Sequence, residues 1–588
     1  MKRVLYALSI IALISVSFGC SKETLSGSGT TSSGPTPAPA AGPDPNEGLD
    51  VRKMAADANS YAITYGSLDD DKIQTLKNYP LVIVHPYGGN ITRSQIHQIK
   101  QGLDPNDPSD NVVVLCYISI GEDSRTFNLT DEQMKADQRF AGDGSGPSID
   151  PRGAAADGTT LLGINPLGTP TNGGFASYYV NDNAVACNGA ADKKPDRNNI
   201  FKTRFINAGD PLWYNTLNDM IMDESTHTPP GLKELLTTEK GRGLGCDGVF
   251  LDTIDTAAPN SYTNCSDENH SKSEWTAPGF AAFMGRLRND YPDKVILQNR
   301  GLFFFDPREP HYQVSARGTI DIAFFESFRL DNDSTDTKPY FLDNKFNTTP
   351  KLMAEANRPD GFKVLSLGYA NGFDAPKPGI DIQTLLSTTY GTGTGFAELY
   401  TDMQEAHAVG FRHYLTSATV DFVNSFVKRF EDMTDRSAPV WSSVYNANYG
   451  YPDNALDAPI PRKGIQQAVS GGAGSVTVKW DIALDMNKVS YVLYYKTAPF
   501  DFTADPGLTS ATRVVLRPDA PAVANDYSNV WNSGDRSMAV RNQGMQAVYP
   551  YQQTITGLQQ GTAYYFVIRA KDSQGNEDTN LVFLTATP

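Results

Sequence analysis

Between about residues 55 and 445 the chain repeats one pattern, a short and nearly unbroken apolar run followed by a longer stretch of mixed polarity. The runs are Ser60–Tyr65, Leu81–His85, Val112–Ser119, Gly248–Asp252, Lys294–Asn299, Ile320–Phe325, Lys363–Tyr369 and Gly410–Leu415. Continuous apolar runs of this length are what parallel strands covered on both faces require. Helical spacing appears in the intervals at Trp213–Asp223, Pro278–Asp290 and Asp381–Thr389, the second ending just before Pro292. Eight such strands with helices between them predict an α/β fold, a (β/α)8 TIM barrel with long insertions. A doubly wound open sheet shares the pattern, but no Gly-rich phosphate loop follows the first strand. Residues 120–200, rich in Gly, Asp and Asn, read as a long loop overhanging the barrel mouth. Past about residue 465 the period changes to two, in SVTVKWDI, VSYVLYYKT and AYYFVIRAKD. That alternation predicts a separate all-β sandwich.

The first residues follow neither period. Lys2 and Arg3 precede an apolar run from Val4 to Val16, closed by Ser17-Phe18-Gly19-Cys20. This is too short for a spanning helix and reads as an export signal. A small residue before cysteine resembles a bacterial lipoprotein signal, which implies lipidation at Cys20 and a membrane anchor there. An ordinary cleaved secretory signal is the alternative. Residues 21–50, dominated by Ser, Gly, Thr, Pro and Ala, offer nothing to bury and predict a flexible tether. The segments are therefore 1–20 signal, 21–50 linker, 55–450 barrel and 462–588 sandwich.

Charge and cysteines narrow the chemistry. A net charge of −17 argues against nucleic acid or anionic lipid as a partner and is compatible with a cationic or neutral substrate. Cys116 and Cys246 lie in apolar runs and are expected to be buried free thiols. Cys187 and Cys265 lie in polar stretches, where export permits a disulfide between them. With no CxxC or HExxH and seven scattered His residues, neither a metal nor any other cofactor is expected. A monomer is expected.

In a barrel, catalysis sits where the strands end. The second run ends in His85, and the third carries Tyr117, Ser119 and then Glu122. The fourth ends in Asp252 with Asp255 just beyond, the fifth in Asn299, the sixth in Glu326 and the seventh in Tyr369. Asp247, at the entry end of its strand, reads as a structural cap. Two carboxylates facing one cleft point to glycoside hydrolysis. Asp252 and Glu326 are the candidates. Asp255, Glu122, Tyr117, His85, Asn299 and Tyr369 are candidate substrate contacts. Whether such a pair retains or inverts anomeric configuration is open in the sequence.

The stretches LCYISIGE, GCDGVFLDTIDT, VILQNRG, DIAFFES and LSLGYA occur in the order seen in glycoside hydrolase family 114, and residues 58–420 resemble that family of endo-α-1,4-polygalactosaminidases. The resemblance implies an endo-acting barrel that cuts partly deacetylated α-1,4-linked galactosamine polymers. It also implies Asp252 as nucleophile and Glu326 as acid/base, with the roles exchangeable. Residues 123–200 and 327–360 depart from the family pattern. The stretch GLQQGTAYYFVIRAKD resembles fibronectin type III, an immunoglobulin-like sandwich, with Tyr564 as its tyrosine-corner residue and Trp480 as its buried tryptophan. The alternative function is a non-catalytic polysaccharide-binding or adhesion lipoprotein, and a weaker one a glycosidase for a neutral glycan.

Overall fold

The computed structural model describes residues 42–142, 174–181, 194–198, 201–257, 276–305, 318–328, 362–369, 411–417, 419–423, 438–441, 464–480, 489–516, 551–572 and 574–588, with short pieces at 148–149, 352, 389–390, 394–395, 402–403, 406 and 483–484. Cys20, Cys187, Cys265 and all but the last residue of the Asp381–Thr389 helix lie outside these residues.

Eight parallel strands form one sheet in chain order: β1 (Ala62–Thr64), β2 (Leu81–Val84), β3 (Val113–Ser119), β4 (Gly248–Asp252), β5 (Val295–Asn299), β6 (Ile322–Glu326), β7 (Lys363–Tyr369) and β8 (Arg412–Thr416). Strand order that never reverses has no switch point, so the doubly wound alternative is excluded. The seam between β1 and β8 is bridged by Tyr65 N–H donating to the Val420 carbonyl at 2.6 Å and Arg412 Nε donating to the Ala58 carbonyl at 2.8 Å. Inside, aromatic rings fill the barrel. Phe324 packs against Phe250 at 5.2 Å and Tyr61 at 5.8 Å, and Tyr61 against Tyr414 at 5.6 Å. Each ring buried this way contributes on the order of 1.5–3 kcal/mol. Together they fill the barrel interior below the strand ends.

Among the described residues there are seven helices, of which the first five start on a capping side chain. They are α1 (Val51–Asp57), α2 (Asp70–Leu76), α3 (Arg93–Lys100), α4 (Asp131–Ala136), α5 (Pro211–Asp219), α6 (Leu232–Leu236) and α7 (Ala277–Asp290). Thr92 and Gln95 form a reciprocal capping box on α3. For α5, Asp210 caps and Pro211 presets the first turn, which moves its start ahead of the expected Trp213. No glycine marks its end, and the chain turns extended at Met220, before the expected Asp223.

Two expectations are corrected on the barrel's outer wall. Cys116 and Cys246 are not free thiols: they form a disulfide, with Cα atoms 6.1 Å apart. Separated by 130 residues, they meet because β3 and β4 are sheet neighbours. The stretch before α1 is also not all free tether, since residues 42–50 fold onto the strand-entry face. There Lys100 Nζ contacts Asp44 and Asp247, each at 2.8 Å, and donates to the Gly245 carbonyl at 2.6 Å. Asn46 Nδ2 donates to Asp247 Oδ2 at 2.9 Å, and the Val114 N–H to the same oxygen at 2.9 Å. Asp247 is thus a structural acid, as its place suggests, but within a buried ionic cluster.

The C-terminal part is a sandwich of two antiparallel sheets. One joins β9 (Ile465–Gly472), β10 (Ser475–Trp480) and β13 (Tyr551–Ile555). The other orders β12 (Thr512–Leu516), β11 (Ser490–Lys496), β14 (Tyr564–Lys571) and β15 (Phe583–Ala586). Trp480 is buried and stacks on Tyr551 at 5.7 Å, while the Tyr564 hydroxyl accepts from Gln559 N–H at 3.0 Å. Val440–Trp441 pairs with Ala483–Leu484, so the sandwich recruits chain from before the expected boundary at 462.

Candidate active site

Successive inward residues on each barrel strand lie two apart, and at the mouth each inward position changes from apolar to polar. Phe250 is followed by Asp252, Leu297 by Asn299, Phe324 by Glu326 and Leu367 by Tyr369. The polar residues close into one network. Asn299 Nδ2 donates to Asp252 Oδ1 at 2.7 Å and to Glu326 Oε2 at 2.9 Å. The Tyr117 hydroxyl donates to Asp252 Oδ2 at 2.7 Å, and the Tyr369 hydroxyl donates to Glu326 Oε1. Each carboxylate therefore holds one phenol of its own and shares one amide. Asn299 is 2% exposed, so neither hydrogen bond is exchanged for bulk water.

Burial pushes the Asp252 carboxyl above the usual aspartate range, and nearby Asp255 adds to this. The bonds from Tyr117 and Asn299 oppose the rise by favouring the charged form. The Tyr117 and Tyr369 phenols are driven well above their ordinary range by burial beside carboxylates, so both remain donors. His85 is pushed down to about 4 by burial and is neutral near pH 7. Gly88 N–H donates to its Nδ1 at 2.8 Å, which places the ring proton on Nε2.

Six of the eight expected residues surround this centre: Asp252, Glu326, Asn299, Tyr117 and Tyr369 directly, and His85 stacked on Tyr117 at 4.2 Å. The other two stand apart. Asp255 lies on the rim, exposed, 3.4 Å from Arg300. Glu122 is buried in an adjoining cavity, where it accepts from Asn198 Nδ2 at 2.9 Å and from the Thr203 hydroxyl. Burial raises its carboxyl to about 7, against the lowering effect of those two bonds.

Residues outside the expected set also shape the mouth. Tyr65, just past β1, packs its ring 5.3 Å from both His85 and Tyr117. Its signal was its place at the end of the first apolar run. Thr253 adopts φ +64°, and its hydroxyl meets Ser119 Oγ and Gly121 N–H, each at 2.8 Å. A Cβ on Gly121 would lie 2.1 Å from the Thr253 carbonyl, so this junction admits glycine alone. Thr203 and Asn198 carried no sequence signal, because they are brought to Glu122 beside an antiparallel pairing of Glu122–Asp123 with Arg204–Phe205, segments far apart in the chain.

A second acid–base arrangement lies elsewhere. Ser366 Oγ and His413 Nδ1 are 2.8 Å apart, and His413 Nε2 and Asp402 Oδ2 are also 2.8 Å apart. This Ser-His-Asp chain resembles a hydrolytic triad, but all three side chains are buried, at no more than 1% exposure. Ser366 and His413 sit on the outward-facing register of β7 and β8, with Asp402 reaching His413 from ahead of β8, so the chain braces the wall.

No family model matches the chain, and no curated protein matches it. Solved structures similar to it include the glycoside hydrolase domain of PelA from Pseudomonas aeruginosa, with 15% identity over 62% of this chain and 97% of that one and a TM-score of 0.33. Others are the maltogenic amylase from S. marinus (10% identity, 78% of this chain and 65% of that, TM-score 0.31) and Amy13B of Eubacterium rectale (9%, 62% and 66%, TM-score 0.29). All three are distant likenesses.

Proposed function

We propose that the protein is an exported glycoside hydrolase that cuts inside an aminosugar polymer by a retaining, two-carboxylate mechanism. The observation that carries this reading is the shared Asn299 amide. A single nitrogen 2.7 Å from Asp252 Oδ1 and 2.9 Å from Glu326 Oε2 caps the distance between those oxygens at about 5.6 Å. Retaining pairs stand about 5–5.5 Å apart, whereas inverting pairs need roughly 6.5–9.5 Å to admit a water.

In this mechanism Asp252 attacks the anomeric carbon while Glu326 protonates the departing glycosidic oxygen. The resulting glycosyl ester on Asp252 is then cleaved by water, whose proton passes to Glu326. Net, one water is added across one glycosidic bond. Tyr117 and Asn299 hold the Asp252 carboxylate in place and favour its charged form, offsetting the cost of its burial. The substrate class, a partly deacetylated α-1,4-linked galactosamine polymer, rests on the resemblance to glycoside hydrolase family 114. The net charge of −17 agrees with a cationic polymer. The fibronectin type III-like sandwich is read as a spacer or binding module, and Cys20 as a lipid anchor.

The test is cleavage of partly deacetylated galactosamine and glucosamine polymers, with anomeric products followed by NMR. Asp252→Asn and Glu326→Gln should each lower turnover by at least about a thousandfold while melting near the parent. Retained configuration is expected. Inverted product would overturn the mechanism, and polymer binding without new reducing ends would favour the adhesion reading.

A further inference from the structure

Beside the carboxylate pair lies a cavity of about 90 Å³, and Tyr117, whose hydroxyl bonds Asp252, forms part of its wall. Trp213, Leu217, Met220 and Pro229 give it an apolar floor, and among the described residues its charged lining is Glu122 and Asp123. Asp123 is already neutralised, since Arg125 grips it through Nε at 2.9 Å and an Nη at 2.8 Å. Glu122 is not. It is 7% exposed, its hydrogen bonds come from the neutral Asn198 and Thr203, and no basic side chain pairs with it among the described residues. His85 also lines the cavity, and its Nε2–H has no partner among the described residues. A small apolar chamber thus holds one uncompensated carboxyl and one free neutral donor.

We propose that this cavity is a subsite for the ammonium group of an aminosugar unit near the scissile bond, and that Glu122 selects it. The inference rests on the reading of the mouth as a glycosidase cleft. An ammonium supplies the missing positive charge, and a buried charge-assisted hydrogen bond is roughly twice as strong as a neutral one. The free His85 Nε2–H suits a neighbouring sugar oxygen. An N-acetyl group brings no charge and sets a carbonyl oxygen against the Glu122 oxygens, so acetylated units are disfavoured.

The cavity's own ionisation fits this use. Burial and the nearby Asp255 and Asp252 hold the Glu122 carboxyl up, Thr203 and Asn198 pull it down, His85 is neutral and Asp123 is paired with Arg125. Ammonium binding favours the carboxylate, so affinity should climb between pH 5 and pH 7 as Glu122 ionises, a range in which the sugar amine keeps most of its proton.

The experiment uses the full chain carrying Glu326→Gln, so that ligand is bound but not cut. Calorimetry compares a fully deacetylated galactosamine tetrasaccharide with its N-acetylated counterpart at pH 5 and pH 7. The deacetylated ligand should bind about tenfold more tightly at pH 7, by an advantage that shrinks at pH 5. Adding Glu122→Gln should remove the preference, and Glu122→Asp, which keeps the charge, should retain part of it. A preference that survives Glu122→Gln, or equal binding of both ligands, overturns the inference. If the parent protein cuts polymer but shows no such preference, only the subsite falls. If the Glu122-dependent preference is present but the parent cuts nothing, only the glycosidase reading falls.

Discussion

Asn299 orients two acids with one amide, and this makes it the most informative single residue after the acids themselves. Asn299→Ala removes a bond that favours the charged form of Asp252, so that carboxyl holds its proton to higher pH. The acid limb of the pH–rate profile should move upward, and turnover should fall about a hundredfold through lost positioning. An unchanged profile would show that the amide does not couple the pair. Glu122 yields a stability prediction of opposite sense to the usual carboxylate. Its carboxyl rises from an ordinary 4.5 to about 7 on folding, so the folded state binds the proton more tightly. That contribution is fully present below pH 4.5 and is lost as pH climbs through 7. The difference amounts to about 3 kcal/mol. Glu122→Gln should therefore gain stability relative to the parent between pH 5 and pH 8 in urea titrations, and a constant difference would refute the assignment.

At the scale of elements, the outer wall is held by links that the sequence pattern does not display. The Cys116–Cys246 disulfide ties β3 to the entry of β4 across 130 residues. Replacing both cysteines by alanine should cost about 2–4 kcal/mol, read as a lower urea midpoint that reductant imposes on the parent but not on the variant. Lys100 is 1% exposed between Asp44 and Asp247. Lys100→Met leaves Asp247 buried without its cation and should cost about 3–5 kcal/mol. The barrel strands themselves were legible because each is a continuous apolar run, and their observed ends fall within two residues of the expected ones. Asp252, Asn299, Glu326 and Tyr369 were legible for the same reason, as the polar residues that close those runs. Pairings between distant residues were not legible. Whether Cys116 meets Cys246, or Glu122 meets Thr203, depends on which distant segments become neighbours, and that leaves no periodic trace.

Across the whole molecule, two faces of the barrel do different work. The entry face carries the segment 42–50 and the Lys100 cluster, while the exit face gathers Asp252, Glu326, Glu122 and Asp255. Residues 42–50 thus pack on the side of the barrel away from the site. A mouth rich in carboxylates on a chain of net charge −17 attracts cations over a distance set by ionic strength. Raising salt from about 0.05 to 0.5 M shortens the screening length from roughly 14 to 4 Å, removing long-range attraction while leaving contacts inside the buried cavity largely intact. KM for a fully deacetylated polymer should therefore rise severalfold over that range with kcat unchanged, while KM for an N-acetylated polymer stays level. A fall in kcat would place the salt effect at the catalytic centre instead. Equal shifts for both polymers would mean that the acidic surface is a matter of solubility alone, and that any choice between the polymers is made by Glu122 at close range.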